Sequence, residues 1–402
     1  MRINNNEFQK NANTSLVAQL IWRTPGISRV DIARHLNLYR STVTNIISSL
    51  IENKVVYEGE EGSAMSRGGR KPITLYLNDK FGVVAGFEIQ PSHYRLVILD
   101  ITGKTLFREQ GKLAEKDFEA VIIHLMEIVL AQVEILQLPL IAVVVGIPGI
   151  VETDRGIIRY AEPFNVRDFD VCSFVRARYD VLVFVENDAN CAAWLNLTVN
   201  RSSGLGDFLC MIADYHEDND QFDDRAGIGV GIGLCLDGRV YHGSHHSSGE
   251  IRTLSWREGL DGQTGLPESL LIKTVDDSEA WAAFMVDLFS SLVPVISVLD
   301  PQVLFVHGNP FSDETKLMGL LDAACPQFNE VLKLVNCRLI IDTSDSNAVA
   351  KGAAMMFLQK LFAVPELSDY ESKTHFEWED VFAQVFPAKK NYAKLQQEEL
   401  DG

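Results

Sequence analysis

Residues 181–190 read Val-Leu-Val-Phe-Val-Glu-Asn-Asp-Ala-Asn, a short apolar run that ends in acidic and amide side chains. Such a run, rich in β-branched residues, is typical of a buried strand, and the polar residues after it are typical of a helix start. Similar strands are predicted at 141–145, just before a Gly-Ile-Pro-Gly turn, and at 303–306. Two strand-helix halves that meet at polar strand ends predict an α/β fold with a cleft between two lobes.

The N-terminal segment has a different pattern. Apolar residues at helical spacing predict one helix over 11–23. Ser28, as an N-cap, and the apolar residues Val30, Ile32, Ala33 and Leu36 predict a short second helix. A third helix is predicted over 40–53, directly after a turn. Three short helices joined by tight turns indicate a helix-turn-helix.

The third helix begins with short polar or basic side chains: Arg40, Ser41, Thr42, Thr44 and Asn45. A recognition helix enters the major groove of DNA through its N-terminal turn, which must therefore lack a bulky apolar face. We predict that these five residues bind DNA.

Two strands are predicted after the third helix, at 55–57 and 73–76, around the polar loop 58–71. Three cations lie in this loop: Arg67, Arg70 and Lys71. On a flexible, glycine-containing backbone they suit phosphates or a minor groove, and the alternative is a solvated basic linker. Together with the three helices, this wing predicts a winged helix-turn-helix domain over residues 1–80.

Charge is divided unevenly along the 402 residues. The whole chain carries a net charge of −19, but residues 1–80 carry +4 and the remainder carries −23. A strongly acidic surface repels nucleic acid, so only the N-terminal segment is expected to approach DNA.

Cysteine spacing and the length of apolar runs bear on metal binding and on the cellular compartment. The six cysteines show no Cys-x-x-Cys spacing, which argues against a disulfide framework and a cysteine zinc site. The apolar runs are shorter than the roughly 20 residues needed to span a bilayer, and the first ten residues are polar. We therefore predict a cytoplasmic protein without membrane contact.

Five short motifs resemble those of the ROK family, in the family's order. They are Gly146-Ile147-Pro148-Gly149-Ile150-Val151, Glu186-Asn187-Asp188-Ala189-Asn190, the alternating glycines Gly227, Gly229, Gly231 and Gly233, Gly249-Glu250-Ile251, and the run from Ala348 to Ala354. The family's name covers repressors and sugar kinases on the two-lobed, actin-like ATPase (ribonuclease H-like) fold. The resemblance covers nearly the whole chain, and the winged helix in front resembles the NagC/XylR type of repressor. It implies a first lobe over 81–195 and a second lobe with C-terminal helices over 196–402.

Departures from the kinase pattern concern the phosphate loops. Family kinases carry Asp-x-Gly-Gly-Thr in the first strand turn, whereas residues 88–92 read Glu-Ile-Gln-Pro-Ser. Pro91 removes an N–H donor and fixes φ, and Gln90 adds bulk where backbone must approach phosphate. Ile228 stands where the family has a threonine in its second phosphate loop. The resemblance therefore implies a domain that is not an active kinase and uses no cofactor.

The sugar-binding residues of the family are matched better than its phosphate loops. By resemblance, Asn187 and Asp188 match the pair that binds sugar hydroxyls, and Asp188 matches the kinase general base, here vestigial. Glu250 and Glu268 match two further sugar-contacting glutamates. Carboxylates and an amide suit vicinal hydroxyls because each acceptor pairs with an O–H donor. For Asn187 and Asp188 the alternative is an N-cap and turn that open the next helix.

The family's zinc site is not matched. Its histidine would fall at Thr253 and its cysteines at Gly259, Asp261 and Leu266. Three histidines upstream invite a metal reading, but a hydrogen-bonded or solvated cluster is the favoured interpretation: His242, His245 and His246. We predict no metal.

The leading hypothesis is a repressor that binds a double-stranded operator as a homodimer or homotetramer and senses a sugar or sugar phosphate. One alternative is a sugar kinase with an accessory DNA-binding segment, which ATP turnover would reveal. Another is a repressor released by a protein partner, for which the acidic body offers a surface.

Overall fold

The computed structural model describes residues 5–61, 73–115, 117–201, 203–216, 227–260, 262–342, 346–365, 372 and 374–386. The predicted wing cations Arg67, Arg70 and Lys71 lie outside the described residues, as does Asp261.

The N-terminal head contains three helices and a three-stranded antiparallel sheet. Its elements are α1 (Asn5–Arg23), β1 (Ile27–Ser28), α2 (Arg29–His35), α3 (Arg40–Glu52), β2 (Val56–Glu61) and β3 (Ile73–Leu77), with sheet order β1-β3-β2. The three predicted helices and the two wing strands are confirmed, although α1 begins earlier than expected and the two-residue β1 was missed. Ser28 caps α2 as predicted, since its Oγ accepts the Asp31 N–H at 3.2 Å. Such a cap contributes about 1 kcal/mol to stability.

The first lobe is built on a five-stranded sheet, which we call the first sheet. The lobe contains β4 (Val83–Ile89), β5 (His93–Asp100), β6 (Thr105–Lys112), α4 (Phe118–Leu136), β7 (Leu140–Ile147), β8 (Ile150–Glu152), β9 (Ile157–Ala161), β10 (Val166–Asp170), α5 (Val171–Arg176), β11 (Leu182–Asn187) and α6 (Asp188–Val199). The first sheet has the order β11-β7-β4-β5-β6, and β8 to β10 form a small separate sheet. One apolar cluster joins this sheet to α4 and α5.

The second lobe repeats this topology on a second five-stranded sheet. Its elements are β12 (Phe208–His216), β13 (Gly227–Leu236), β14 (Arg239–Tyr241), α7 (Glu268–Leu271), α8 (Ser278–Leu299), β15 (Val303–His307), α9 (Glu314–Ala324), α10 (Pro326–Leu334), β16 (Arg338–Ile341), α11 (Ala348–Phe362) and α12 (Trp378–Val385). The second sheet has the order β14-β13-β12-β15-β16. In each sheet an antiparallel meander of three strands is followed by two parallel strands. The predicted repetition of one α/β theme is confirmed.

Helices α6 and α11 pack against each other between the two sheets. Small residues allow this close approach: a Cβ at Gly352 would overlap the Cys191 carbonyl oxygen of α6, and a Cβ at Gly86 would overlap the Ala350 carbonyl oxygen of α11. The small-residue run that begins at Ala348 is therefore required by packing.

The last two helices belong with the first lobe in space. We assigned α11 and α12 to the second lobe by chain order, but α11 lies across β4, β5 and β7. One apolar core joins α11 and α12 to the first sheet and to the head. The lobe boundary at residue 195 stays a prediction, and the assignment of these two helices is corrected because their buried faces pack on the first sheet.

The head is fixed to the body by aromatic contacts. The Trp22 ring of α1 stacks on Phe362 of α11 with centroids 4.6 Å apart, and its Nε1 donates to the Thr102 carbonyl at 2.9 Å. The Arg201 guanidinium lies over the Trp22 ring, 4.2 Å from its centroid. Helix α12 adds Trp378, whose Nε1 donates to Ser15 Oγ at 3.2 Å. Because each buried large apolar side chain contributes roughly 1.5–3 kcal/mol, the head is packed firmly on the body.

Among the described residues, α8 alone is long and apolar enough to cross a membrane by length and composition. The sequence analysis overlooked it. Its buried side chains, including Trp281, Phe284 and Leu288, lie in the core of the second lobe against the second sheet. A core helix of a globular domain meets the same criteria.

Candidate DNA-binding and ligand-binding sites

Helix α3 presents the predicted recognition residues to solvent. Arg40, Ser41, Thr44 and Asn45 are exposed and Thr42 is half-buried. The opposite side of the helix is buried in the head, through Val43, Ile46, Ile47 and Leu50. Thr44 Oγ1 donates to the Arg40 carbonyl at 2.8 Å, as threonine does within a helix. The structure therefore brings these five side chains onto one accessible helix end, and their contact with DNA stays a prediction.

Tyr39 is a surface residue that the sequence analysis missed. It is the N-cap residue of α3, and it is 85% exposed although it is a large aromatic side chain. Its position directly before Arg40 places it at the same exposed end of α3. An aromatic residue at the start of a recognition helix was the available signal, because such side chains contact base methyl groups or sugars.

The cleft between the lobes contains two buried carboxyl groups, Glu88 at the end of β4 and Asp188 at the start of α6. They are 3% and 7% exposed. The pKa of each is raised to about 7, mainly by burial, and for Asp188 the neighbouring Glu250 and Glu88 charges contribute to that rise. The Gln90 amide lies close enough to both carboxyl groups to favour their charged forms. Gln90 is itself buried beside them.

Arg95 is the cation that pairs with Glu88 in this cleft. The sequence analysis did not predict it. It lies opposite Glu88 across the β4–β5 hairpin, and its Nη1 donates to Glu88 Oε1 at 2.7 Å. The same nitrogen is 4.0 Å from Asp214 Oδ2 on β12 of the second lobe. A tight turn at 91–92 sets residue 88 opposite residue 95, so hairpin register was the signal that could have found this pair.

Asn187 has a structural task at the start of α6. Its Oδ1 accepts the Asn190 N–H at 3.1 Å, which makes it the N-cap, and its Nδ2 donates to the Gly149 carbonyl at 3.0 Å. The alternative interpretation of this residue, as a helix cap, is confirmed. A ligand contact from its remaining donor and acceptor capacity stays a prediction.

Glu186 joins the lobes through a buried ion pair with His242. Its Oε2 lies 2.8 Å from His242 Nε2, and its Oε1 accepts hydrogen bonds from Thr153, Asn187 and Asn190. Burial favours the neutral carboxyl, but the His242 charge and these hydrogen bonds outweigh it and lower the pKa of Glu186 to about 2. Burial also opposes the charged imidazole, yet Glu186 raises the pKa of His242. His242 is therefore hydrogen-bonded, as the favoured interpretation has it, and the absence of a metal stays a prediction.

The second lobe supplies Glu250 and Glu268. Glu250 follows Gly249, and desolvation in the cleft raises its pKa, which Arg252 opposes. Glu268 is the first residue of α7 and is exposed. The structure thus places Glu250 within electrostatic reach of Asp188, and the role of Glu268 as a ligand residue stays a prediction.

Side-chain hydroxyl groups make hydrogen bonds within the segment from Thr253 to Leu266, which corresponds to the zinc site of the family. Ser255 Oγ contacts Thr253 and Thr264 and donates to Asp287 Oδ2 of α8 at 2.7 Å. It also accepts the Gly265 N–H at 2.8 Å. These hydrogen bonds tie the two ends of the segment to α8, so the segment that leads to α7 is fixed by side chains of the chain itself.

The alternating glycines of β13 serve the contact with α6. A Cβ at Gly233 would overlap the Ala189 carbonyl oxygen, and one at Gly231 would crowd the Ala189 side chain. The glycines therefore let the first turn of α6, with Asp188, lie directly against the second sheet. Their presence does not require a bound phosphate.

Stability is expected to fall as the pH rises, because Glu88 and Asp188 hold protons more tightly in the folded chain. Both have a folded pKa near 7, above the ordinary carboxyl value, so their contribution is complete in acid and is lost as the pH rises from about 4 through about 7. Each group contributes roughly 3–4 kcal/mol to this change. Between pH 5 and pH 8 the double variant Glu88→Gln, Asp188→Asn should therefore lose less stability than the parent protein does. If the melting temperatures of the variant and the parent changed equally with pH, these two carboxyl groups would not be the source of the pH dependence.

Two family models match the chain. Residues 84–253 match the ROK family, and residues 19–57 match the winged helix-turn-helix DNA-binding model. Residues 84–253 are therefore similar to the ROK family, as the five motifs indicated, and they follow a segment similar to a winged helix-turn-helix domain.

Curated relatives of this class are named as regulators. The chain is 27% identical over 252 residues to a putative xylose repressor of Caldicellulosiruptor sp. (strain Rt8B.4), covering 61% of this chain and 59% of that protein. It is 26% identical over 254 residues to the xylose repressor of Bacillus subtilis (strain 168), with 62% of each covered. It is 25% identical over 253 residues to the DNA-binding transcriptional dual regulator NagC of Escherichia coli (strain K12), covering 62% and 59%. The matches thus span about three fifths of the length of these relatives.

Solved structures agree on the fold. A ROK family transcriptional regulator, described as a homolog of the E. coli MLC protein, superposes with a TM-score of 0.68 at 18% identity and covers 90% of this chain and 99% of its own. The ROK hexokinase from Thermus thermophilus superposes with a TM-score of 0.54 at 20% identity, covering 69% and 99%. The predicted fold, a winged helix followed by a two-lobed sugar-kinase-like domain, is confirmed.

Proposed function

We propose that this chain is a sequence-specific DNA-binding transcriptional repressor whose ROK domain senses a sugar. The observation that carries the proposal is the combination, in one packed body, of an exposed polar recognition helix and a cleft with buried carboxyl groups. The relatives named as xylose repressors and NagC support it, and xylose and N-acetylglucosamine are the first sugars to test.

A continuous series of contacts leads from the cleft to the head. Asp188 opens α6, α6 packs on α11 at Gly352, and α11 ends at Phe362, which stacks on Trp22 of the head. Ligand binding that changes the angle between the lobes would move α6 and α11, and with them the head. In a homodimer or homotetramer this motion changes the spacing of two heads and hence their fit to two half-sites.

Phosphoryl transfer is not part of the proposed function. Phosphate loops bind through successive backbone N–H groups, and Pro91 has none while the Gln90 N–H donates to the His93 carbonyl at 2.9 Å. Ile228 offers no hydroxyl in the second loop. We propose a cytoplasmic regulator without metal or cofactor, and ADP release from ATP in the presence of sugar would overturn its non-enzymatic nature.

Asp188→Asn tests the sensing role. The side-chain oxygen of asparagine can still accept the Ala189 N–H, which Asp188 Oδ1 accepts at 2.8 Å, so the start of α6 should be kept. We expect affinity for an operator duplex within about twofold of the parent and a sugar response weakened by about 10–100-fold, because a hydrogen bond to a charged group is lost. Fluorescence anisotropy of a labelled duplex, titrated with xylose and N-acetylglucosamine, measures both. An unchanged sugar response would remove Asp188 from the ligand site.

A further inference from the structure

We infer that Arg201 positions the DNA-reading head on the body, and that it thereby sets the spacing between the two half-sites that an oligomer of this chain recognises. The inference rests on the proposed DNA-binding function and names the residue that fixes its geometry. Arg201 acts through Trp22 of the head, so it is a positioning residue.

Arg201 lies where the chain leaves the first lobe for the second. It is the second residue after α6, and its backbone N–H donates to the Thr198 carbonyl at 3.4 Å. The backbone N–H and Nδ2 of Asn200 both donate to the Asn196 carbonyl, at 3.1 and 2.9 Å. Because these hydrogen bonds tie residue 201 to the end of α6, its side chain follows any movement of that helix. Helix α6 begins in the cleft at Asp188, so Arg201 moves with the cleft.

Trp22 is buried at the junction between the head and the body. Its ring stacks on Phe362 of α11, its Nε1 donates to the Thr102 carbonyl, and the Arg201 guanidinium lies 4.2 Å from its centroid. Trp22 belongs to α1, which packs directly on the proposed recognition helix α3. The orientation of α3 therefore follows the position of this ring. Of the three contacts just named, only that of Arg201 comes from α6.

The contact between Arg201 and Trp22 is weak enough to be released. Neither Arg201 nor its neighbour Arg23 pairs with a carboxylate within the described residues, although the body is strongly acidic. Burial and the positive charge of Arg23 lower the pKa of Arg201, but a guanidinium stays charged in a protein. A cation over an aromatic ring contributes little at a partly exposed site, and here a like charge opposes it. Arg201 thus holds the head through one cation–π contact that a movement of α6 can break.

A fixed head is important because an oligomer presents two heads to one operator. Half-sites lie about one helical turn of DNA apart, so a small rotation of each head changes the spacing that the pair fits. Arg201→Gln removes the cation–π contact but leaves the Phe362 stack and the hydrogen bond to Thr102. Each head then remains attached but is less firmly oriented. The variant should therefore recognise the same half-site sequence over a wider range of spacings.

The test begins with selection of duplexes from a random DNA pool by the full-length parent and by Arg201→Gln. We expect both to enrich the same half-site, and the parent to enrich one spacing. Two labelled duplexes are then made that differ by one base pair inserted between the half-sites. In fluorescence anisotropy the parent should prefer its own spacing by at least about tenfold, and Arg201→Gln by about threefold or less.

Two further variants are controls for the loss of a charge. Arg201→Lys should keep most of the parent's spacing preference, because an ammonium group also binds the face of an indole. Arg338→Gln removes an exposed cation at the start of β16 in the second lobe and should behave as the parent. All three variants should melt within a few degrees of the parent, since none of the replaced side chains is fully buried.

Trp22→Phe shows whether Arg201 acts through Trp22. It keeps an aromatic ring against Phe362 but removes the larger indole face and the Nε1 donor. The spacing preference should fall as it does in Arg201→Gln, and Arg201→Gln should have no additional effect in the Trp22→Phe background, because both changes remove the same contact. Additive losses, or an Arg201→Gln protein that folds but binds neither duplex, would mean that Arg201 acts elsewhere and would overturn the inference.

The remaining outcomes separate the inference from the proposed function. If Arg201→Gln keeps the spacing preference of the parent, Arg201 does not position the head, and DNA binding by the chain is unaffected. If the parent itself enriches no paired half-sites, the proposed function is overturned together with the inference.

Discussion

Replacement of Arg40, Thr44 and Asn45 together by alanine is expected to weaken operator binding by at least about a hundredfold. Each side chain is exposed at the start of α3, where a recognition helix meets base edges, and each base contact contributes about 1–3 kcal/mol. The fold should not change, because alanine is the best helix former and these positions are not buried. Anisotropy of a labelled operator duplex at fixed salt measures the loss.

A matched surface variant separates this effect from a general loss of charge. Lys333→Ala removes one cation from α10 of the second lobe, far along the chain from the head, and should leave operator affinity within about twofold. Thermal melting of both proteins should agree with the parent within a few degrees. If the triple variant bound the operator as the parent does, α3 would not be the recognition helix.

Gly352→Ala is expected to destabilise the protein by about 3 kcal/mol or more, although alanine normally favours a helix. The added methyl group would overlap the backbone carbonyl of Cys191, and backbone cannot move aside as a flexible side chain can. The variant must therefore separate α6 from α11, the two helices between the sheets. Loss of soluble, folded protein would be the extreme form of the same result.

Gly319→Ala is the matched control. Gly319 lies in α9, and no atom lies within 4 Å of the position its Cβ would take. Here the same substitution should be neutral or stabilise by up to about 1 kcal/mol. Urea denaturation of the two variants measures the difference. Equal stabilities would mean that α6 and α11 do not meet at Gly352 as described.

Much of the architecture could be predicted because its signals are local. The head was predicted from helical spacing and the Ser28 cap, and both sheets from apolar runs that end in polar residues. The exposed polar end of α3 was predicted by the same reasoning, and the role of its residues in DNA recognition stays a prediction. β1 was missed because two residues show no periodicity.

The parts that sequence reasoning missed depend on long-range contacts. Helices α11 and α12 follow the second lobe in the chain but pack on the first sheet and the head, and chain order cannot reveal such a return. The pairs Glu88–Arg95 and Glu186–His242 likewise depend on hairpin register and on the contact between lobes. The helix-cap alternative for Asn187 could be stated from sequence because it is local, and its ligand contact, given by resemblance, stays a prediction.

The most direct test of the central claim is selection of duplexes from a random DNA pool by the full-length protein, followed by sequencing. The account predicts enrichment of one motif with two-fold symmetry, its half-sites separated by about one helical turn or a multiple of it, and loss of the enrichment with the Arg40, Thr44 and Asn45 triple variant. A pool that stays random, or a motif that the triple variant enriches equally well, would contradict the assignment of this chain as a sequence-specific DNA-binding regulator.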